Sequence, residues 1–142
     1  MLRHLVLFSA VLAVSLSGNT TENKPLPEKV ISITINENGF AISGRDTLPL
    51  VELAEEIHLR LWKSYLGTGK MPDRIVVKYL GTGVVSHKGE TEKAIKEGQQ
   101  KALQELCVQK HKKRYEDISD NQKSKVKKQY PVLFQENFSE AG

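Results

Sequence analysis

Apolar residues along this chain fall into blocks whose period changes from two to 3.6 and back. From Val30 to Ile35 ("VISITI") the period is two, and five of the six residues are β-branched. Ile31, Ile33 and Ile35 face one way and Val30, Ser32 and Thr34 the other, which predicts a strand with one strongly apolar face. "NENG" (Asn36–Gly39) supplies a turn with glycine where positive φ is needed. Phe40–Ser43 returns as a second strand and "GRD" (Gly44–Asp46) closes it, so the pattern predicts a β-hairpin. Thr47 as a hydroxyl cap and Pro49 in the first turn then predict a helix start. Leu50, Leu53, Ala54, Ile57, Leu61 and Tyr65 recur at spacings of three and four, with Glu52, Glu55, Glu56 and Arg60 off that stripe and Trp62 at its margin. "GTG" (Gly67–Gly69) ends the helix. Arg74–Leu80 ("RIVVKYL") reads as a third strand, and a strand reached through a crossover helix is expected in the same sheet.

Gly81–Gly89 reads as a loop, and a long helix is expected from about Glu90 to Arg114. Its apolar face is Ala94, Ile95, Ala102, Leu103 and Leu106, with Gly98 in the middle. Ser119 and Gln122 form a capping-box pair that opens a short charged helix. That helix ends near Tyr130-Pro131, before an extended Val132–Phe134, and its one clear apolar residue, Val126, predicts loose docking. The expected fold class is α+β. A small sheet beginning with a β-hairpin packs against two main helices (ββαβα) and carries a basic helical C-terminal extension.

The first residues, "MLRHLVLFSAVLAVSLSGNT", set a basic start (Arg3, His4) before an apolar run from Leu5 to Leu16. Secretory leaders carry an apolar region of roughly 7–15 residues followed by small residues at the cut. A spanning helix needs about 20 apolar residues. Residues 1–17 are therefore expected to be a signal peptide, cut before Gly18 after Ser15-Leu16-Ser17, with Ala13-Val14-Ser15 as a second site. A short membrane anchor is the alternative. Residues 18–29, polar with two prolines, read as a linker. The domain expected after them covers 30–114, with 115–142 as a charged extension.

The formal charge of +4 over 142 residues is unevenly spread. Gly18–Cys107 holds twelve basic and twelve acidic residues, whereas Val108–Lys128 holds eight basic against three acidic, a net of +5. "QKHKKR" (Gln109–Arg114) is a phosphate-binding candidate. No aromatic stacking pattern accompanies it and acids follow at 116, 117 and 120, so nucleic acid is not expected and a solvated helix end complementing its dipole is preferred. A peripheral attraction to anionic lipid headgroups is an alternative expectation, although the segment lacks a matching apolar face. Cys107 is the single cysteine. It excludes an internal disulfide and is expected half-buried on a helix, or else paired between chains.

Other chemistry is weakly signalled. His58, His87 and His111 sit in three separate elements without metal-ligand spacing. Ser86-His87 has no acidic partner marked in sequence and no nucleophile elbow. Glu55-Glu56 reads as the solvated side of its helix. "YLGTG" occurs twice (Tyr65–Gly69 and Tyr79–Gly83), but neither copy meets the G-x-x-x-x-G-K-[ST] phosphate-loop pattern, so both read as glycine turns. No catalytic, cofactor-binding or metal-ligating residue is assigned.

The order of hairpin, "eLaeel" helix, strand and long helix resembles the periplasmic domain of the ExbD/TolR family. Ile33, Ile35, Gly39, Ile42 and Gly44 match that family's hairpin pattern, and Glu52-Leu53 its helix signature. Asp117-Ile118, Gln122, Tyr130-Pro131 and Glu136 are similar to the ending of a subset of ExbD-like chains. The resemblance covers about residues 30–140. It implies a dimerising, non-enzymatic interaction module in the periplasm or on the periplasmic face of the inner membrane. It also implies work with an ExbB/TolQ-like membrane protein and a TonB/TolA-like protein in proton-motive-force-driven transport. Two features depart from the family: residues 1–29 contain no aspartate to serve as its proton carrier, and no strand is expected after the second helix. A stand-alone periplasmic binding module, for peptidoglycan or a small ligand, is the alternative expectation.

Overall fold

The computed structural model describes residues 28–139. The expected leader, both cleavage sites and nearly all of the linker lie outside the described residues. The fold is α+β: a four-stranded mixed sheet with one face covered by two helices. β1 (Val30–Ile35) pairs antiparallel with β2 (Phe40–Ser43), Thr34 lying opposite Ile42. In the turn between them the Asn36 Oδ1 accepts from the backbone N–H groups of Asn38 and Phe40 at 3.0 Å, and Gly39 takes φ +81°. The expected hairpin is present.

The residues expected to close the hairpin and cap the helix instead add a strand. Gly44 adopts φ +62° and Arg45 does not enter the left-handed region. That pattern fits a two-residue hairpin turn of the II′ kind, which returns the chain antiparallel. Asp46–Pro49 is therefore β3, paired with β2 so that Ser43 faces Asp46 and Ile42 faces Thr47. Thr47 and Pro49, expected as helix cap and first turn, are strand residues. Proline is tolerated here because β3 is an edge strand in the order β3-β2-β1-β4. A 3-10 turn (Leu50–Glu52) leads into α1 (Leu53–Thr68). Gly69, at φ +75°, ends α1 by returning its N–H to the Tyr65 carbonyl at 2.7 Å. α1 is the crossover to β4 (Arg74–Tyr79), which pairs parallel with β1, Ile33 opposite Val77.

α2 runs from Gly83 to His111, beginning about two turns earlier than expected. Gly83–Gly89 is thus helical rather than looped. The core lies between the sheet and the two helices. Ile31, Ile33, Ile35, Ala41, Ile75 and Val77 come from the sheet, Leu53, Ile57 and Leu61 from α1, and Ile95, Leu103 and Leu106 from α2. Each fully buried aliphatic side chain contributes about 1.5–3 kcal/mol. Gly98 is where α2 touches α1: a Cβ there would meet the Ala54 carbonyl oxygen and the Ile57 Cβ, both at 2.7 Å.

The C-terminal segment comprises a 3-10 turn (Tyr115–Asp117), α3 (Asp120–Gln129) and a second 3-10 turn (Pro131–Phe134), the last in place of the expected extended stretch. The Ser119–Gln122 capping box is formed as expected, with both reciprocal bonds in place at 3.2 and 3.0 Å. Val126 is the one buried residue of α3 itself, as expected, and the residues on either side of the helix are packed into the core. Ile118, Val126, Tyr130, Val132, Leu133 and Phe138 all belong to the one core. The Gln99 amide donates to the carbonyls of Val132 (2.8 Å) and Gln135 (3.0 Å). The Gln135 side chain accepts from the Ile75 N–H and donates to its carbonyl, while the Val77 N–H donates to the Phe138 carbonyl. Among the described residues no strand follows α2, but this strap, with one parallel bridge between Val77 and Ser139, covers the outer edge of β4. Among the described residues no helix is long and apolar enough to cross a membrane.

Candidate functional site

The three histidines singled out in the sequence stay apart. His58 reaches from α1 to α2, its Nε2 2.6 Å from Glu105 Oε1. Its Nδ1 has no hydrogen-bond partner, with Glu55 Oε1 3.5 Å away. His87 packs on the hairpin turn, where a Cβ on Gly39 would meet its ring at 2.9 Å, and Nε2 lies 3.3 Å from the Glu37 carbonyl. His111 Nδ1 faces the Gln122 amide at 3.2 Å. Among the described residues no group of three His, Cys, Asp or Glu side chains is arranged to hold a metal ion.

Glu55 and Glu56 lie on the outside of α1, but both are engaged. Glu55 pairs with Lys101 of α2 at 3.4 Å. The Glu56 carboxylate accepts from the buried Ser43 hydroxyl at 2.6 Å, Ser43 Oγ accepts from Arg60 Nη1 at 2.6 Å, and Arg60 pairs with Glu28. This chain of polar contacts ties β2, α1 and the residues before β1, and it satisfies the Ser43 hydroxyl as donor and acceptor. It was not foreseen, because nothing in a serine at the end of an apolar strand marks its partner thirteen residues on.

Of the two "YLGTG" copies, both expected as glycine turns, the first is the last helical turn of α1 up to Thr68, with only Gly69 outside it, and the second is a turn after Tyr79. The second joins β4 to the N-terminus of α2, where an anion would be welcome on helix-dipole grounds. The Glu37 carboxylate, however, occupies the space beside Gly81 that a Cβ would enter, and it places negative charge there. Cys107 is fully buried, not half-buried. Burial, and then the charge of Glu116, push its thiol up from the ordinary range, so it is held as an unreactive thiol. Tyr79 is likewise pushed up by burial and then by Glu92.

Aromatic and basic side chains meet at the C-terminal ends of α1 and α2, around the buried Tyr130. Trp62 stacks on Tyr65 at 5.3 Å between ring centroids, and Tyr65 meets Tyr130 edge-on at 5.8 Å. Lys110 lies 5.1 Å over the Tyr130 ring, Lys123 5.5 Å over Tyr115 and Lys127 5.6 Å over Phe134, within cation–π range. Trp62, Gln104, Glu105, Val108, Gln109 and Arg114 line an open groove of about 490 Å³. Leu66, one turn beyond Trp62, is 59% exposed and Val108 is 48% exposed. The Gln104 side chain fixes the lower lip: its carbonyl accepts from the Tyr115 N–H and its amide donates to Glu116. Glu116 itself is held below the usual carboxylate range by its own backbone N–H, with Gln104, Arg114 and Lys123 acting in the same direction. The lysine run of 110–114 thus has aromatic and aliphatic neighbours, supplied largely by α1 and by the last residues of the chain. A window on the run itself holds no signal of them.

The sequence finds no match among protein-family models or curated proteins, and the fold finds none among solved structures.

Proposed function

We propose that this chain is a non-enzymatic envelope interaction protein of the ExbD/TolR kind, acting in the periplasm or at the periplasmic face of the inner membrane. It takes part in, or modulates, proton-motive-force-driven transport with TonB- or Tol-type complexes, as a homodimer engaging an ExbB/TolQ-like and a TonB/TolA-like protein. One observation carries the reading: the residues of the resemblance hold the positions that a shared hairpin and helix would require of them. Gly39 and Gly44 are the left-handed residues of the two turns. Ile33 and Ile35 are core residues of β1, and Leu53 opens the buried face of α1. Towards the end, Gln122 closes the capping box and Tyr130-Pro131 terminates α3. A fold of this size with β3 as an edge strand suits a binding module.

The test is genetic and biochemical. Deleting the gene is expected to impair TonB-dependent uptake or envelope integrity, and affinity capture of the tagged chain is expected to recover an ExbB/TolQ-like protein. Normal uptake together with no such partner sinks the proposal. Saturable co-sedimentation with purified cell wall in the absence of an envelope partner would transfer it to a stand-alone peptidoglycan module.

A further inference from the structure

We propose that the surface formed by the C-terminal ends of α1 and α2 docks on an anionic phospholipid bilayer, with Trp62, Leu66 and Val108 entering the interface and the lysines and arginine around them meeting headgroup phosphates. Stable membrane-surface attachment needs an apolar face and a basic rim together. The basic segment Val108–Lys128, read alone, has only the rim. The fold brings the missing face to it. Trp62 and Val108 line one groove with Arg114, and Leu66 extends the same stripe of α1 by one turn. Lys110 does not line the groove but flanks it, linked to Trp62 by way of the buried Tyr130 and partly buried Tyr65 rings, and Lys123 packs on Tyr115, whose backbone is bound by the groove residue Gln104.

At the groove itself Glu105 is hydrogen-bonded to His58, and Glu116 is bound by the Gln104 amide and lies 3.6 Å from Arg114 Nε, so the positive excess comes from the lysines of the surrounding segment. The surrounding segment keeps its net +5, eight basic against three acidic residues. Charge complementarity therefore selects an anionic partner, and the aliphatic members of the patch select its class. Leu66 and Val108 have no means of reading or stacking on bases. The rings of Tyr115, Tyr130 and Phe134 are already covered by lysines rather than left open as stacking platforms. Tryptophan with flanking lysines is the residue set that favours a bilayer interface. The inference does not rest on the family reading.

The experiment uses the full chain and its single tryptophan, Trp62. Vesicles of equal parts phosphatidylglycerol and phosphatidylcholine are compared with pure phosphatidylcholine vesicles, with and without acyl-chain bromination. On anionic vesicles Trp62 emission is expected to shift to the blue and to be quenched by the brominated lipid, with neither effect on the neutral ones. Raising salt to about 1 M, where the screening length falls from about 8 Å to about 3 Å, is expected to weaken the binding. The paired variant Lys110→Glu/Arg114→Glu is expected to lower partitioning more than about tenfold, since each basic residue at a bilayer surface contributes about fivefold. Leu66→Asp is expected to abolish the quenching. All three positions are exposed, and circular dichroism verifies that each variant is folded.

Binding with Trp62 unquenched overturns the proposal, because the chain is then held by another part, such as the apolar run of residues 5–16. Equal binding to neutral vesicles, or undiminished binding of the charge-reversed pair, overturns it as well. So does a Trp62 response to a single-stranded oligonucleotide stronger than that to the vesicles.

Discussion

Two glycines of α2, nine residues apart, show how one residue type answers to two different constraints. At Gly98 the missing side chain is what lets α2 approach α1, with the Ala54 carbonyl oxygen and Ile57 Cβ 2.7 Å from where a Cβ would stand. Both obstacles belong to the buried face of α1, so a methyl group there must push the helices apart. Gly98→Ala is expected to destabilise the protein by about 1–3 kcal/mol, the ordinary cost of overpacking. Gly89 has helical backbone and nothing within 4 Å of its added Cβ. Gly89→Ala is expected to stabilise by about 0.5–1 kcal/mol, because alanine loses less backbone entropy in a helix. Urea unfolding of the two variants checks both signs. A Gly98→Ala midpoint at or above the parent value would mean that the helix contact is looser than the described geometry.

At the scale of elements, the strap after α3 closes an edge that would otherwise be open. The Gln135 side chain gives one acceptor and one donor to the Ile75 backbone, serving as one rung of a strand without being one. Gln135→Ala leaves both Ile75 groups unpaired at the margin of the core, and an expected loss of about 1–3 kcal/mol follows from that. Gln135→Glu keeps the acceptor but loses the donor, and is expected to fall between the two. Amide exchange at Ile75 and Val77 provides the local readout, faster in both variants if the strap guards this edge.

This strap also marks the limit of what the sequence discloses. The hairpin, α1, β4 and the capping box of α3 were legible because local period and turn chemistry agree with the tertiary result. β3 was not, since a threonine, a leucine and a proline in "DTLP" satisfy the rules for a helix start and for an edge strand alike. The first turns of α2 were hidden by Gly83, Val84, Val85 and Gly89, residues of weak helix propensity. The apolar half of the candidate docking surface was out of reach for another reason. Trp62 and Leu66 lie more than forty residues before the basic run that they complete, and only the fold brings them near.

For the molecule as a whole, Ile118, Val126, Tyr130, Val132, Leu133 and Phe138 share one core with the sheet and both long helices. The C-terminal segment and the rest are therefore expected to unfold together. Far-ultraviolet circular dichroism and Trp62 fluorescence should give coincident urea transitions, whereas an early helical transition would show that the extension melts alone. The alkaline limit of this one unit follows from two groups held neutral in the folded state. Burial, then Glu116, raises the Cys107 thiol, and burial, then Glu92, raises the Tyr79 phenol. In the unfolded chain they ionise at their ordinary values, near about 8.5 and about 10. The unfolded state therefore gives up protons first as pH rises. The stabilisation is fully present below the ordinary thiol value and is lost progressively as pH climbs through the raised folded values. Glu116, whose carboxyl is lowered, is exposed and adds little on the acid side. The urea midpoint is accordingly expected to fall between about pH 8 and about pH 11. The double variant Cys107→Ala/Tyr79→Phe, lower in stability at neutral pH for its lost thiol packing, is expected to show a shallower fall. An equally steep decline in that variant would assign the alkaline limit to groups other than these two.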